Sequence, residues 1–355
     1  MTNLPPDLIN EILLLLPVKS LLRFRCICKS FYSIIDSPDF IYSHLRTSSA
    51  KRLHQKLICH GNYNNRTDIH ALDTNSGSVE EIPLDFEFPY IRPLFVASCN
   101  GLLLLNPSDN VLSILNPSTR NYRELPALPV NFPLISYFGI CRSGFGYDST
   151  IDDYKVLQII CIKSCYQVWI FELRSSCWRR IQDFPYINYT DFRRAKVGNC
   201  FVDGYVYILC YENGNNESHI IVAFDLVKET FSIASDPISQ NEGKHTISEA
   251  CRGCLSITVE AMNVVDLYVQ KNEGVEYRWT KLFSILEQFC PRTLGYSKQG
   301  ENVLVSCFGN LYSYDLIERS FERIQTSLLK KICVMDLFDY SYILCVESLV
   351  SVGSS

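Results

Sequence analysis

The residues of this chain that could bind a metal or act as nucleophiles are its cysteines and histidines. The 355-residue sequence holds 16 and 6 of them, so a site would need only a few to converge. Cys251-Arg252-Gly253-Cys254 has the spacing of half a zinc site. A structural zinc ion takes four ligands, and no second pair stands at a matching distance. His44, His54, His60, His70, His219 and His245 are scattered, none beside a cysteine or acid at a spacing that argues for a site. Gly144-Phe145-Gly146-Tyr147-Asp148 is glycine-rich, but a phosphate loop needs a helix after it and no helical pattern follows. Its reading is a strand start with close backbone packing. Gly-x-Ser-x-Gly, His-Glu-x-x-His, the Walker loop and the dinucleotide fingerprint are all missing from the sequence. No catalytic residue, metal or cofactor is expected.

Recognition is the other chemistry to look for. Residues 184–197 bring together Tyr186, Tyr189, Phe192, Arg193 and Arg194. Aromatic and arginine side chains on a connecting segment suit a protein-binding hot spot, and these five are the candidate substrate-binding residues. Residues 211–219 and 236–249 are polar insertions. Trp169, Trp178 and Trp279 are read as packing between repeated units.

The totals narrow the class. Hydrophobic residues make 47% and charged residues 20% of the chain, a globular balance. The net charge of −5 lacks the basic footprint of a nucleic-acid binder. Many cysteines, among them Cys99, Cys161, Cys200, Cys210, Cys307 and Cys345, sit inside apolar strand-like runs. They read as reduced, buried thiols, which places the protein in the cytoplasm and/or nucleus.

From Leu53 to about residue 350 the pattern is short strands between turns, with a weak helical candidate near Leu282–Phe289. A spacing recurs within it: a polar anchor, an aromatic six places on, an aliphatic three further. It reads Asn116, Tyr122, Leu125; then Glu172, Trp178, Ile181; then Asp315, Phe321, Ile324. Asp73, Val79 and Ile82 keep it with a valine. Asp225 and Phe231 keep the first interval, and a looser copy runs from Val269 to Trp279 and Leu282. Each copy is a hairpin, and further strands such as those around Gly101 and Gly204 precede several copies. About four strands in roughly 40–50 residues is the period of a propeller blade. Six copies predict six blades; five and seven are the neighbouring solutions, since the first and last-found copies are degenerate.

The first 46 residues differ. Leu8, Ile9, Ile12, Leu13 and Leu16 trace one helical face, with Leu14 and Leu15 adding apolar surface outside it. Pro5, Pro6 and Asp7 suit a helix start, and Pro17 ends it. A second series follows with Leu21, Leu22, Phe24, Ile27, Phe31, Ile34 and Ile35. A unit of about 40 residues cannot hide so much apolar surface by itself. The run is too short to span a bilayer, and its flanks do not fit a signal peptide. A partner helix or the body of the chain must cover it.

Leu4-Pro5, Asp7-Leu8, Ile12-Leu13, Leu16-Pro17-Val18-Lys19-Ser20-Leu21, Arg23-Phe24-Arg25-Cys26, Cys28-Lys29 and Phe31 resemble an F-box of the plant type, with Phe31 where the family more often has Trp. Gly144–Asp148, Asp153–Val156, Asn116–Thr119, Trp279–Leu282 and Glu347–Val350 resemble the F-box-associated, kelch-like domain of plant F-box proteins, a group that includes S-locus and immune-regulating members. The paired glycines of true kelch repeats are absent. The resemblance implies a small all-α helical hairpin followed by an all-β propeller-like domain: F-box 1–46, linker 47–52, propeller-like domain 53–350 and tail 351–355. It implies a non-catalytic substrate receptor of a Skp-cullin-F-box ubiquitin ligase, leading to proteasomal degradation. The Skp adaptor, and cullin through it, would bind by Leu4, Pro5, Leu8, Ile12, Leu16, Pro17, Leu21 and Leu22. A protein substrate would bind the β domain, with neither nucleic acid nor membrane as partner. A Skp-binding scaffold without ligase function and a propeller enzyme are the alternatives.

Overall fold

The computed structural model describes residues 5–353 apart from 52, 64–65, 74–77, 84–94, 109–110, 131–139, 163–164, 190–198, 213–217, 235–243, 251–253, 262–263, 274–275, 287–291, 297–301, 308–309 and 325–340. The amino-terminal part is helical: α1 (Pro6–Leu14), α2 (Val18–Arg25), α3 (Lys29–Ile35) and α4 (Pro38–Lys51). The second apolar series is therefore two helices. Cys28 is extended and its sulfur accepts the Phe31 N–H, capping α3 with a residue type that gives no cap signal in a sequence. Leu13, Leu21, Ile35 and Phe40 form the core of this unit. The stretch read as a linker is helical as far as Lys51: Ser48 is buried there, and the polar residues around it occupy the outer face of α4.

Among the described residues twenty-four strands follow, in six four-stranded antiparallel sheets. Blade 1 holds β1 (Gln55–Tyr63), β2 (Arg66–Leu72) and β3 (Val79–Ile82). Blade 2 holds β4 (Phe95–Cys99), β5 (Leu102–Ser108), β6 (Val111–Asn116) and β7 (Asn121–Glu124). Blade 3 holds β8 (Ile140–Asp148), β9 (Asp153–Ile162), β10 (Cys165–Glu172) and β11 (Cys177–Asp183). Blade 4 holds β12 (Asn199–Val202), β13 (Tyr205–Tyr211), β14 (His219–Asp225) and β15 (Thr230–Ala234). Blade 5 holds β16 (Lys244–Ala250), β17 (Cys254–Ala261), β18 (Val264–Glu273) and β19 (Glu276–Leu286). Blade 6 holds β20 (Arg292–Tyr296), β21 (Asn302–Cys307), β22 (Asn310–Asp315) and β23 (Phe321–Arg323). The last strand, β24 (Ser341–Val346), returns to pair with β1 and completes blade 1. The ring is thus closed by the first and last strands of the β domain, and each blade keeps only short edges.

Both faces of a blade are buried against neighbours, and the sequence shows it. In β5, Leu102 and Leu104 face the core between blades 2 and 3, while Leu103 and Leu105 face the core between blades 1 and 2. The unbroken run of leucines follows from period-2 alternation with apolar surroundings on both sides. Each such side chain contributes about 1.5–3 kcal/mol on burial. Gly146 lies where a Cβ would overlap the Phe201 ring of blade 4, which accounts for the glycine-rich strand start.

The repeated spacing has a direct cause. In blade 4, Asp225 pairs with Thr230 and Phe224 with Phe231. Between them the Asp225 Oδ1 accepts the N–H groups of Val227 and Lys228 at 2.9 Å each, and Glu229, at φ 57°, donates its N–H to the Asp225 carbonyl. A residue six past the anchor thus stands opposite the residue before it. Phe171 with Trp178, Phe224 with Phe231 and Tyr314 with Phe321 place ring centroids 5.1, 4.7 and 4.7 Å apart. Asn116 and Asp315 build the same turn. The loose copy differs from the others: Val269 is inside β18, which runs on to Glu273 and pairs Gln270 with Trp279. The weak helical candidate over Leu282–Phe289 is strand as far as Leu286; its last residues lie outside the described ones. Strand pairing along β18 settles a short apolar run that periodicity leaves ambiguous.

Trp178 packs into the core between blades 2 and 3 and donates to the Pro126 carbonyl at 2.6 Å, and Trp279 packs between blades 4 and 5. Residues 351–353 are no free tail, because Val352 is buried between blades 2 and 3.

Candidate functional site

The helical unit leaves an apolar stripe uncovered. Leu8, Ile12 and Leu15 stand at i, i+4 and i+7 along α1 and its last turn, so they share one face. They are 45, 49 and 47% exposed although their neighbour Leu13 is sealed in the helical core. Ile27 in the turn between α2 and α3, Tyr32 on α3 and Tyr42 on α4 are also exposed. The expected adaptor-contact residues divide accordingly. Pro5, Leu8 and Ile12 are open to solvent, and Leu16, Pro17 and Leu22 are half-buried. Leu21 is fully buried among Leu13, Ile35 and Phe40, so it shapes the surface from beneath and offers none itself. Leu4 lies outside the described residues. Leu15 and Ile27 belong to the apolar surplus that the sequence shows, whereas Tyr32 and Tyr42 carry no signal in it.

This surface is joined to the propeller by hydrogen bonds, ion pairs and packing. α2 starts after Pro17 with no side-chain cap of its own. Its first N–H, on Val18, donates to Oε2 of Glu347 at 2.9 Å across a separation of 329 residues. The other carboxylate oxygen pairs with Lys56 at 3.0 Å. A helix start carries unsatisfied donors and positive charge, and Glu347 answers both. Beyond it, Asn116 donates to the carbonyls of Ser348 and Val350, and Leu349 packs on the helical core. Lys19 also reaches Glu80 on β3 at 2.7 Å.

Two histidines reinforce the junction. His44 and His54 place Nε2 at 2.9 and 3.0 Å from the carbonyls of Leu16 and Leu15. Burial pushes the His44 imidazole below its usual value, against the opposing pull of the Leu16 carbonyl.

Strand polarity fixes the two ends of the propeller. The helical unit enters at the start of β1, on the face that carries the β6–β7, β10–β11 and β14–β15 turns. β11 ends, and β12 begins, on the opposite face. Of the candidate substrate residues, Tyr186 and Tyr189 are half-buried against the core between blades 3 and 4, with Tyr186 edge-on to Phe184 at 5.7 Å. Phe192, Arg193 and Arg194 lie outside the described residues.

The buried charges serve the fold. Lys155 donates to Asp148 at 2.8 Å, to the Leu226 carbonyl at 2.8 Å and to Glu229 at 3.0 Å, and Arg179 closes on Glu229 from blade 3. Burial alone would raise the Asp148 and Glu229 carboxyls, but the cations bonded to them hold both below the ordinary range. Burial pushes the thiols of Cys59, Cys210 and Cys345 up to about 12, so they behave as small hydrophobic groups. Cys251 lies outside the described residues, and among those residues no group of three metal-ligating side chains occurs.

The F-box domain matches residues 1–43, and the F-box associated beta propeller domain matches residues 56–339, most of the chain. This chain is a plant F-box protein of the F-box-associated β-propeller family. The F-box protein CPR1 of Arabidopsis thaliana is 32% identical over 337 residues, spanning 86% of this chain and 80% of its own. The F-box/kelch-repeat protein At3g23880 of the same plant is 29% identical over 314 residues, 80% and 79% of the two chains. Among solved structures, one chain of a nidogen/laminin complex superposes with a TM-score of 0.50 at 10% identity, over 83% of this chain and 99% of that one, a likeness of fold alone. As an F-box protein it has the two-part plan of a substrate-recognition protein: α1–α4 at one end and the far face of the propeller at the other.

Proposed function

We propose that this F-box protein is the substrate receptor of a Skp-cullin-F-box ubiquitin ligase. It binds a Skp-type adaptor through the F-box and a protein substrate through the propeller. The observation that carries the reading is the stripe of Leu8, Ile12 and Leu15, which stays exposed beside a helical core that is already complete. A partner helix laid along that stripe would remove the apolar surface from water. Pro5, Leu16, Pro17 and Leu22 are the further proposed adaptor contacts.

The protein itself performs no bond chemistry. It shortens the search between substrate and ubiquitin-charged enzyme by holding both on one frame. The Glu347 junction supports that role, since a rigid connection holds the substrate face at a set distance from the adaptor. The propeller end opposite the F-box, including Tyr186 and Tyr189, is the proposed substrate side. Cysteines read as reduced thiols and a Skp-type adaptor are the support for a cytoplasmic and/or nuclear setting.

The test is co-purification of the full chain with a Skp-type adaptor and a cullin, repeated with Ile12→Asp. Loss of both partners in the variant and a longer substrate half-life in a knockout are expected. Adaptor binding without cullin would instead mark an interaction scaffold.

A further inference from the structure

Between α2 and the first two blades lies a cleft with a cavity volume of about 520 Å3. Small-molecule sites typically measure about 300–1,000 Å3 and favour junctions between domains. Its floor is apolar, made by Ile58, Ala71 and Ile82 at the edge of the core between blades 1 and 2. Its mouth is cationic: Lys19 and Arg23, one turn apart on α2, face Lys56 of β1 and Arg120 of the β6–β7 turn.

Acids only partly offset that charge. Glu80 takes Lys19 at 2.7 Å and Arg120 at 3.6 Å, and Glu347 takes Lys56 at 3.0 Å. The Arg23 guanidinium has no ion pair among the described residues. Glu81 also lines the cleft, so four cations stand against three acids around this opening, in a chain whose net charge is −5. An apolar floor under a cationic mouth is complementary to a molecule with an apolar body and one oxyanion group.

We propose that this cleft binds a small organic anion, its apolar body on Ile58, Ala71 and Ile82 and its oxyanion held by Arg23 and Lys19. One wall belongs to the F-box and the other to the propeller, so the bound anion ties the two together beside Glu347. The Leu8 stripe proposed for the adaptor lies outside this cleft, and Leu22 is the one proposed adaptor contact that also lines it.

The test titrates the full chain with 8-anilinonaphthalene-1-sulfonate and with N-phenyl-1-naphthylamine, the same rings without the sulfonate. One saturable site is expected, with the anionic probe bound about tenfold more tightly than the neutral one, as a charge-assisted hydrogen bond requires. Arg23→Glu, on the exposed side of α2, is expected to weaken the anionic probe by about tenfold at unchanged melting temperature. Ala71→Leu, which fills the floor, weakens both probes. Equal binding of the two probes, an Arg23→Glu variant that binds like the parent, or no saturable binding overturns the proposal. So does binding lost in Leu8→Asp but kept in Arg23→Glu, which would put the probe on the adaptor stripe.

Discussion

The Val18 N–H and the Glu347 carboxylate meet at 2.9 Å in the buried junction between helices and propeller. One residue opens α2; the other follows the strand that closes the ring. The contact therefore joins both ends of the chain and fixes the F-box against blade 1.

Glu347→Ala leaves the Val18 N–H and the Lys56 ammonium without their shared acceptor. An unsatisfied buried group costs about 1–3 kcal/mol. Hydrogen exchange of the full chain is expected to speed up in α1–α4 and to stay unchanged in blades 3–5. Equal protection of the helices in parent and variant would remove the cap from the account.

Leu8 and Leu21 separate surface from core. Leu21→Ala empties a fully buried position and is expected to destabilise the helical unit by about 2–5 kcal/mol. Leu8→Ala changes stability by less than about 0.5 kcal/mol, as exposed positions do. Its loss appears in adaptor affinity, by about 2 kcal/mol for a hot-spot side chain. Thermal melting and a binding titration read the two effects separately.

Lys155 is the buried cation between blades 3 and 4, with only 4% of its side chain exposed. Lys155→Met strands Asp148 and loosens Glu229, and breaking such a pair costs about 3–5 kcal/mol. A melting temperature within error of the parent's would refute this. Because both carboxyls titrate below their ordinary range when folded, their stabilisation is present above the unfolded values, 3.8 and 4.5, and is lost as acid takes the pH through the lower folded values.

His44 titrates in a different window. Its folded value lies below the unfolded 6.5, so the neutral imidazole is the form that fits. Its contribution is intact above pH 6.5 and fades as the pH falls through the lower folded value. His54 nearby opposes protonation and Glu347 favours it. Protection of α4, corrected for the intrinsic pH dependence of amide exchange, is expected to fall between pH 7.5 and 5, and His44→Gln is expected to lose most of that step.

Much of this was legible in the chain. The six-residue spacing from anchor to aromatic marks a four-residue turn that sets Phe231 opposite Phe224 and Trp178 opposite Phe171, and turn chemistry of that kind is local. Where a hairpin lengthened, as at Val269, the spacing misled, because strand length depends on pairing rather than on the residues at the turn. The α2–α3 break at Cys26–Cys28 was hidden for a related reason: apolar periodicity runs through it, and the cap is a cysteine.

Local pattern thus determined blade, hairpin and helix, since each is built from residues near one another along the backbone. It also showed that the helices carry more apolar surface than one face can bury. Only tertiary structure decided which of those side chains stay uncovered: Leu21 goes under and Leu8 stays out because α2 packs against α3 and the propeller in one way. It alone brought Glu347 to Val18 and opened a cationic cleft beside them. Contacts between residues hundreds of positions apart follow from the closure of the ring, and no spacing along a chain records where a ring will close.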